Sequence, residues 1–215
     1  MTMADARDPH AGQPVLTMGP RPADARWTVI LLHGRGASAE DILGLAAEIG
    51  ATDVAYLAPQ AADHTWYPYS FLSEIARNEP YLTSALRRIA ALVADVERQG
   101  VDAARVGFMG FSQGACLSLE FAARHARRYA AIAGLSGGVI GPPGTPRNYT
   151  GAFESTPVFL GCSDVDSHIP LERVHETAAV FRAMGASVDE RIYPRMGHTV
   201  NDDELEAVRK LFGGG

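Results

Sequence analysis

Short apolar runs alternate with amphipathic stretches along most of the chain, and this alternation predicts its secondary structure. Residues 27–32 and 54–59 are continuous apolar runs of the length expected for strands buried on both faces. Residues 79–99 repeat their apolar side chains at three- and four-residue intervals, which predicts a long helix. The same patterns predict further strands at 14–19, before Ser112, at 129–135, 157–161 and 187–193, and further helices at 38–49, after Ser112, at 170–184 and from Asn201 onward.

The order of these elements predicts the fold class and the number of domains. Strands that alternate with helices indicate an α/β fold, with a mostly parallel central sheet and helices on both faces. A chain of 215 residues with 47% hydrophobic content is large enough for one sizeable core. We therefore expect a single domain over residues 14–215, preceded by a flexible tail over residues 1–13.

The segment around Ser112 is the strongest chemical signal in the sequence. Gly110-Phe-Ser-Gln-Gly114 lies between a predicted strand and a predicted helix, which is the setting of the G-x-S-x-G nucleophile elbow. A second match, Gly134-Leu-Ser-Gly-Gly138, is followed by a run rich in Pro and Gly that cannot form a helix. We therefore predict that Ser112 is the nucleophile and that the backbone N–H of Gln113 forms half of an oxyanion hole.

A serine nucleophile needs a base within hydrogen-bond reach, and the base needs an orienting acid. In a strand–elbow–helix setting these groups follow the serine in the order acid, then histidine. Four histidines follow Ser112, and His198 is the one in a loop between a predicted strand and a predicted helix, where a base belongs. The loop over residues 161–170 offers two carboxylates, Asp164 and Asp166, and the local sequence leaves open which of them faces the imidazole.

Taken together, these segments resemble the phospholipase/carboxylesterase family of serine α/β-hydrolases, which includes the acyl-protein thioesterases. The matching segments are Leu31-Leu-His-Gly-Arg-Gly36, the Ser112 elbow, the acid loop and Tyr193-Pro-Arg-Met-Gly-His198. The resemblance implies an α/β-hydrolase fold and a carboxylesterase that works through an acyl-enzyme, with no metal and no cofactor. Lysophospholipase or acyl-protein thioesterase activity is the alternative within the family, and a catalytically silent ligand-binding domain is the alternative outside enzymes.

The resemblance also selects the acid. Family members carry Pro-Val-x-x-x-His-Gly-x-x-Asp-Pro-x-Val-Pro around it, and this pattern, laid without gaps on residues 157–170, places the acid at Asp166. The chain departs from the pattern by having Cys162-Ser163 in place of His-Gly and Ser167 in place of Pro. Counting from Gly161 instead would select Asp164.

Three further expectations concern the substrate cleft. The resemblance implies that the backbone N–H of Arg35 is the second oxyanion donor, and it places Trp66 and Tyr67 near the substrate. Residues 137–155 stand where many relatives insert a cap, but here they are few and rich in Pro and Gly. We therefore expect no large cap, an open cleft and a preference for short to medium acyl chains.

Composition and charge exclude several other classes of protein. The net charge is −6 and there is no basic run, which argues against a nucleic-acid partner. No apolar run reaches membrane-spanning length and no secretory signal is recognisable, so we expect a cytoplasmic protein without stable membrane insertion. Cys116 and Cys162 are expected to be free thiols. The expected partner is a small-molecule ester, and the sequence leaves open whether the chain forms a homodimer.

Overall fold

Seven strands and five helices form the computed structural model, which describes residues 8–213. The strands are β1 (Val15–Met18), β2 (Trp27–Leu32), β3 (Val54–Pro59), β4 (Val106–Phe111), β5 (Ile132–Leu135), β6 (Pro157–Ser163) and β7 (Ser187–Tyr193). The helices are α1 (Ala39–Ile49), α2 (Tyr81–Arg98), α3 (Gln113–Arg124), α4 (Leu171–Ala183) and α5 (Asp202–Gly213).

All seven strands belong to one sheet, in the order β1-β3-β2-β4-β5-β6-β7. Only β1 runs antiparallel to its neighbour, and the remaining pairs are parallel. The carboxyl ends of β2, β4, β6 and β7 therefore open onto the same edge of the sheet, where ligands bind in folds of this kind. This architecture confirms the predicted α/β-hydrolase fold.

Helices cover both faces of the sheet because successive apolar residues of each strand point to opposite sides. In β2, Ile30 and Leu32 pack into a core with α2, α3 and α4, whereas Val29 and Leu31 pack into a second core with α1 and α5. All four of these side chains are fully buried. A continuous apolar strand is the sequence signature of this two-sided burial.

Element boundaries differ from the predicted ones by a few residues. β5 begins at Ile132 rather than at residue 129, because Tyr129 N–H donates to Thr156 Oγ1 instead of joining the ladder. Two short 3₁₀ turns, Ala62–His64 and Ile75–Asn78, lie in a segment for which the sequence pattern predicts no element. This segment carries Tyr67, Tyr69 and Phe71, three of the aromatic residues that line the cleft.

The N-terminal segment differs from the expected flexible tail. Residues 1–7 of that tail lie outside the described residues, but residues 8–13 pack against the domain. His10 is fully buried: its N–H donates to Ser84 Oγ, its Nδ1 accepts from Ala62 N–H and its Nε2 contacts Trp66 O at 3.0 Å. These contacts join positions far apart in the sequence, which is why local patterns do not predict them.

Residues 137–155 form an irregular segment that packs down onto the domain. Val139, Ile140 and Phe153 are fully buried, and the Arg173 guanidinium donates to the carbonyl oxygens of Val139 and Gly141. Within residues 8–213 no large cap covers the carboxyl edge of the sheet, as predicted. No helix in that range combines the length and the apolar character needed to cross a bilayer.

Candidate active site

A sharp turn between β4 and α3 carries Ser112. Its backbone adopts φ 56° and ψ −119°, a conformation that L-residues rarely take and that marks strain at functional turns. Both flanking glycines are required by close approach: a Cβ on Gly114 would lie 1.9 Å from Leu32 O, and one on Gly110 would lie 2.4 Å from the Gly114 carbonyl carbon. The turn therefore holds the serine side chain out at the edge of the sheet.

Ser112, His198 and Asp166 form a continuous chain of hydrogen bonds. Ser112 Oγ lies 2.8 Å from His198 Nε2, and His198 Nδ1 lies 2.7 Å from Asp166 Oδ2. The imidazole comes from the loop between β7 and α5, and the carboxylate comes from the loop between β6 and α4. An Nδ1–H donated to the carboxylate leaves Nε2 free to accept the proton of the serine hydroxyl.

The Asp166 carboxylate is held in its ionised form. Its side chain is 0% exposed, and burial alone would raise its pKa. The hydrogen bond with His198 and those from the N–H groups of His168 (2.8 Å) and Ile169 (3.0 Å) outweigh burial and lower the pKa below its ordinary value. A charged carboxylate therefore faces the imidazole.

Asp164 has a different place in the same loop. It is exposed, and its Oδ1 accepts a 2.7 Å hydrogen bond from Arg195 N–H. Arg195 has a positive φ of 56°, so this bond stabilises the turn that leads to His198. The geometry therefore gives the imidazole contact to Asp166, the residue that the gapless family register selects.

The second G-x-S-x-G match does not lie at the cleft. Ser136 is fully buried, its N–H donates to Gly161 O at 2.7 Å, and its hydroxyl has no hydrogen-bond partner among residues 8–213. No helix follows Ser136, and no histidine of the described chain hydrogen-bonds to it. The helix that follows the motif thus distinguishes the two serines, as the sequence predicts.

The two expected oxyanion donors, Arg35 and Gln113, line the cleft beside Ser112. No hydrogen bond within the described residues uses the backbone N–H of either one, so both groups are free to donate to a substrate.

The Gln113 side chain has a role that the sequence does not reveal. Its Oε1 accepts from Trp66 N–H (2.9 Å) and its Nε2 donates to Tyr67 O (2.8 Å), which ties the start of α3 to the aromatic segment.

The two aromatic residues expected near the substrate face different surroundings. Tyr67 lines the cleft, but Trp66 does not, which corrects the expectation for Trp66. The Trp66 indole is 0% exposed, its Nε1–H donates to His33 O at 2.9 Å, and its ring lies 5.0 Å from the His33 ring. Its indole N–H finds its partner in the core, so the ring fills the core behind the oxyanion loop.

Other aromatic rings also line the cleft. The Phe111 ring lies 5.0 Å from the His198 imidazole, and the His168 ring lies 4.7 Å from it in an edge-to-face arrangement. Tyr69, which is 47% exposed, stands at the rim, and Phe71 is buried below it. The cleft encloses about 510 Å³, a volume typical of small-molecule sites.

A serine at a nucleophile elbow, an imidazole and a buried carboxylate, arranged in this order on an α/β sheet, define the class of serine hydrolases. The chain belongs to the phospholipase/carboxylesterase family, which it matches over residues 18–212. It is therefore a serine hydrolase of that family.

Individual relatives agree with this assignment. The chain is 40% identical to a phospholipase/carboxylesterase from Dyadobacter fermentans whose crystal structure superposes with a TM-score of 0.89, covering 92% of this chain and 95% of that one. It is 24% identical to acyl-protein thioesterase 1 of Yarrowia lipolytica, covering 84% of this chain and 88% of the relative. A carboxylesterase of Bacillus cereus, 16% identical with a TM-score of 0.74 and 94% coverage of each chain, shares the fold.

Proposed function

We propose that the protein is a carboxylesterase that hydrolyses carboxylic esters through an acyl-enzyme on Ser112, with short to medium acyl chains preferred. One observation carries this proposal: an unbroken chain of hydrogen bonds runs from the buried Asp166 through His198 to Ser112 Oγ, which lies at an open cleft. That chain supplies a nucleophile, a base and an ionised acid in the positions that acyl transfer requires. A catalytically silent binding domain would have no need of it.

In the proposed mechanism, His198 Nε2 takes the proton from Ser112 Oγ as the oxygen attacks the ester carbonyl carbon. The N–H groups of Arg35 and Gln113 donate to the oxyanion that forms, and the Asp166 carboxylate stabilises the imidazolium. His198 then returns the proton to the leaving alkoxide, and the alcohol departs. A water molecule, deprotonated by the same imidazole, releases the carboxylic acid and restores the serine.

The shape of the cleft supports the chain-length preference. Tyr67, Phe71 and Cys116 close its floor, and each of them is buried in the protein core. Residues 137–155 add no cap that could wall a longer tunnel. Each further methylene adds about 0.8 kcal/mol of transition-state binding only while it is buried. Catalytic efficiency should therefore rise over a few carbons and then stop rising.

Acyl-protein thioesterase or lysophospholipase activity is the second candidate, favoured by the relative from Yarrowia lipolytica that is named an acyl-protein thioesterase. Such substrates carry long acyl chains, so chain length separates the two candidates. A panel of 4-nitrophenyl esters from acetate to palmitate, with Ser112→Ala as the blank, measures kcat/KM against length. We expect a maximum at short to medium chains. A steady rise to palmitate would contradict that preference and favour the second candidate.

A further inference from the structure

An arginine without a counter-ion lines the cleft. We propose that Arg35 selects esters that carry a carboxylate in addition to the ester group, so that the substrate class is anionic. This inference rests on the proposed ester hydrolysis and adds a specificity to it. The Arg35 backbone is the expected oxyanion donor, and the proposal concerns its guanidinium. Arg35 is exposed and lines the same cleft as Ser112 and His198, and its guanidinium carbon lies 6.0 Å from the centre of the Tyr67 ring, which also lines the cleft.

Neutral acceptors hold the Arg35 guanidinium in place. Nη1 donates to Pro68 O at 2.8 Å and to Thr65 Oγ1 at 3.3 Å, and Nη2 donates to Tyr69 O at 2.7 Å. Three contacts of this kind fix the orientation of a side chain that would otherwise lose entropy on binding a ligand. They position the charge without neutralising it.

No carboxylate among residues 8–213 forms an ion pair with Arg35. Arg147, Arg173 and Arg191 are each paired with Glu or Asp. Arg77, which lies 4.4 Å from the Tyr69 ring, forms no ion pair within the described residues either, but it does not line the cleft. A guanidinium also has five N–H donors. The Nε–H of Arg35 has no acceptor within the described part of the chain, so it is free to donate a charge-assisted hydrogen bond to a carboxylate.

The lining of the cleft offers Arg35 no negatively charged partner. No Asp or Glu of the described residues lines it, and the guanidinium of Arg35 is the permanently charged group among the lining residues. The negative charge of Asp166 lies behind the imidazole, where its side chain is fully buried and accepts hydrogen bonds from His198 and from the N–H groups of His168 and Ile169. The chain as a whole has a net charge of −6, so the positive charge of Arg35 at the lining of the cleft is a local feature and not a consequence of a basic protein.

Two pairs of substrates test the proposal, each consisting of an acid and its neutral carboxamide of nearly the same shape. Monoethyl adipate against ethyl adipamate places the charge on the acyl side, and 4-acetoxybenzoate against 4-acetoxybenzamide places it on the leaving group. We expect kcat/KM of the wild-type protein to be about tenfold higher for the acid in at least one pair, the factor that one charge-assisted hydrogen bond supplies. The preference should shrink as salt is added.

Substitutions then separate selectivity from loop support. Arg35→Gln removes the charge and also weakens the contacts to Pro68 and Tyr69, so it lowers the rates on acid and amide alike. The acid-to-amide ratio cancels that common loss, and we expect the ratio to fall to about one in Arg35→Gln. Arg35→Lys keeps the charge and should retain part of the ratio. Arg87→Gln, which removes an exposed arginine of α2 outside the cleft, is the matched control and should keep the full ratio.

An unchanged ratio in Arg35→Gln, or a wild-type protein that prefers the acid in neither pair, would overturn the proposal and leave Arg35 as a support for residues 65–69. Hydrolysis of the neutral esters in that case keeps the proposed function intact. If instead no ester of either kind is hydrolysed while Ser112 is present, the proposed function itself has failed.

Discussion

Asp164 and Asp166 are two residues apart in one loop, yet the structure gives them different neighbours. Asp166 faces the imidazole with a fully buried side chain, whereas the exposed Asp164 accepts from Arg195 N–H. Their local sequence does not distinguish them, because either could end a turn after β6. Ser112 and His198 are predictable from the sequence because the chemistry requires a particular structural context around each. Trp66 is not, because an aromatic residue next to a cleft packs equally well into the core.

The two aspartates give a residue-scale prediction. Asp166→Asn should lower turnover on the order of ten-thousandfold, because the amide fixes the wrong imidazole tautomer and leaves the imidazolium without a partner. Asp164→Asn should retain most activity, because an asparagine oxygen still accepts from Arg195 N–H. Steady-state kinetics on one ester, with circular dichroism as a check of folding, compares the two variants. A larger loss in Asp164→Asn would move the acid to that residue.

At the scale of elements, the start of α5 fixes the loop that presents His198. Asn201 N–H donates to Glu204 Oε2 and Glu204 N–H donates to Asn201 Oδ1, each at 2.9 Å. This reciprocal pair is a capping box. Glu204 packs against Gly161 of β6, where a Cβ would lie 2.2 Å from Glu204 Oε1. The sequence indicates acidic residues in this first turn, but it does not indicate that one of them is buried.

Burial gives Glu204 an unusual effect on stability. It is 0% exposed, its Oε1 has no partner among the described residues, and burial raises its pKa to about 7 despite the bond from Asn201 N–H. The pKa of Glu204 is higher in the folded state than in the unfolded state, so the folded protein holds this proton up to a higher pH. The free energy of unfolding therefore falls as pH rises from about 4.5 to 7. Once Glu204 is fully ionised, the free energy of unfolding has fallen by up to about 3 kcal/mol.

Glu204→Gln therefore tests the buried carboxyl. The variant should match the wild type near pH 5 and be the more stable protein at pH 8, as measured by urea unfolding at both values. Glu206→Gln, on the same helix with a side chain 45% exposed, is the control and should show no such pH-dependent difference. If Glu204→Gln were destabilising by the same amount at both pH values, the carboxyl would not be protonated in the folded state.

At the scale of the whole molecule, contacts distant in sequence connect the N-terminal segment to the cleft. His10 Nδ1 accepts from Ala62 N–H and His33 Nε2 accepts from Ala61 N–H, both at 3.1 Å, and both imidazoles contact the Trp66 ring. The seven strands, the five helices and their order along the chain are predictable, because the local spacing of apolar residues indicates each of them. Residues 8–13 and 60–80 have no such period, so their packing emerges only from tertiary contacts.

The two buried histidines predict a loss of stability in acid. Burial lowers the pKa of both His10 and His33. In acid, the unfolded chain therefore binds protons at these two histidines more readily than the folded chain does. The free energy of unfolding falls as pH drops below about 6.5, by about 1.4 kcal/mol per histidine for each pH unit, until the pKa of that histidine in the folded state is reached. Both imidazoles must stay neutral, because each accepts an N–H.

A comparison of variants isolates this effect from Glu204, whose titration acts in the opposite sense. His10→Gln should destabilise the protein at pH 7 and show a weaker further loss on going to pH 5 than the wild type does. Parallel profiles for His10→Gln and wild type would show that His10 does not resist protonation.

Labelling with a fluorophosphonate, followed by peptide mass spectrometry, tests whether Ser112 is the activated nucleophile of a serine hydrolase. We expect one adduct per chain, on the peptide that contains Ser112, with labelling abolished in Ser112→Ala, slowed severely in His198→Ala and retained in Ser136→Ala. An adduct on Ser136, or no adduct on a folded wild-type protein, would contradict this expectation.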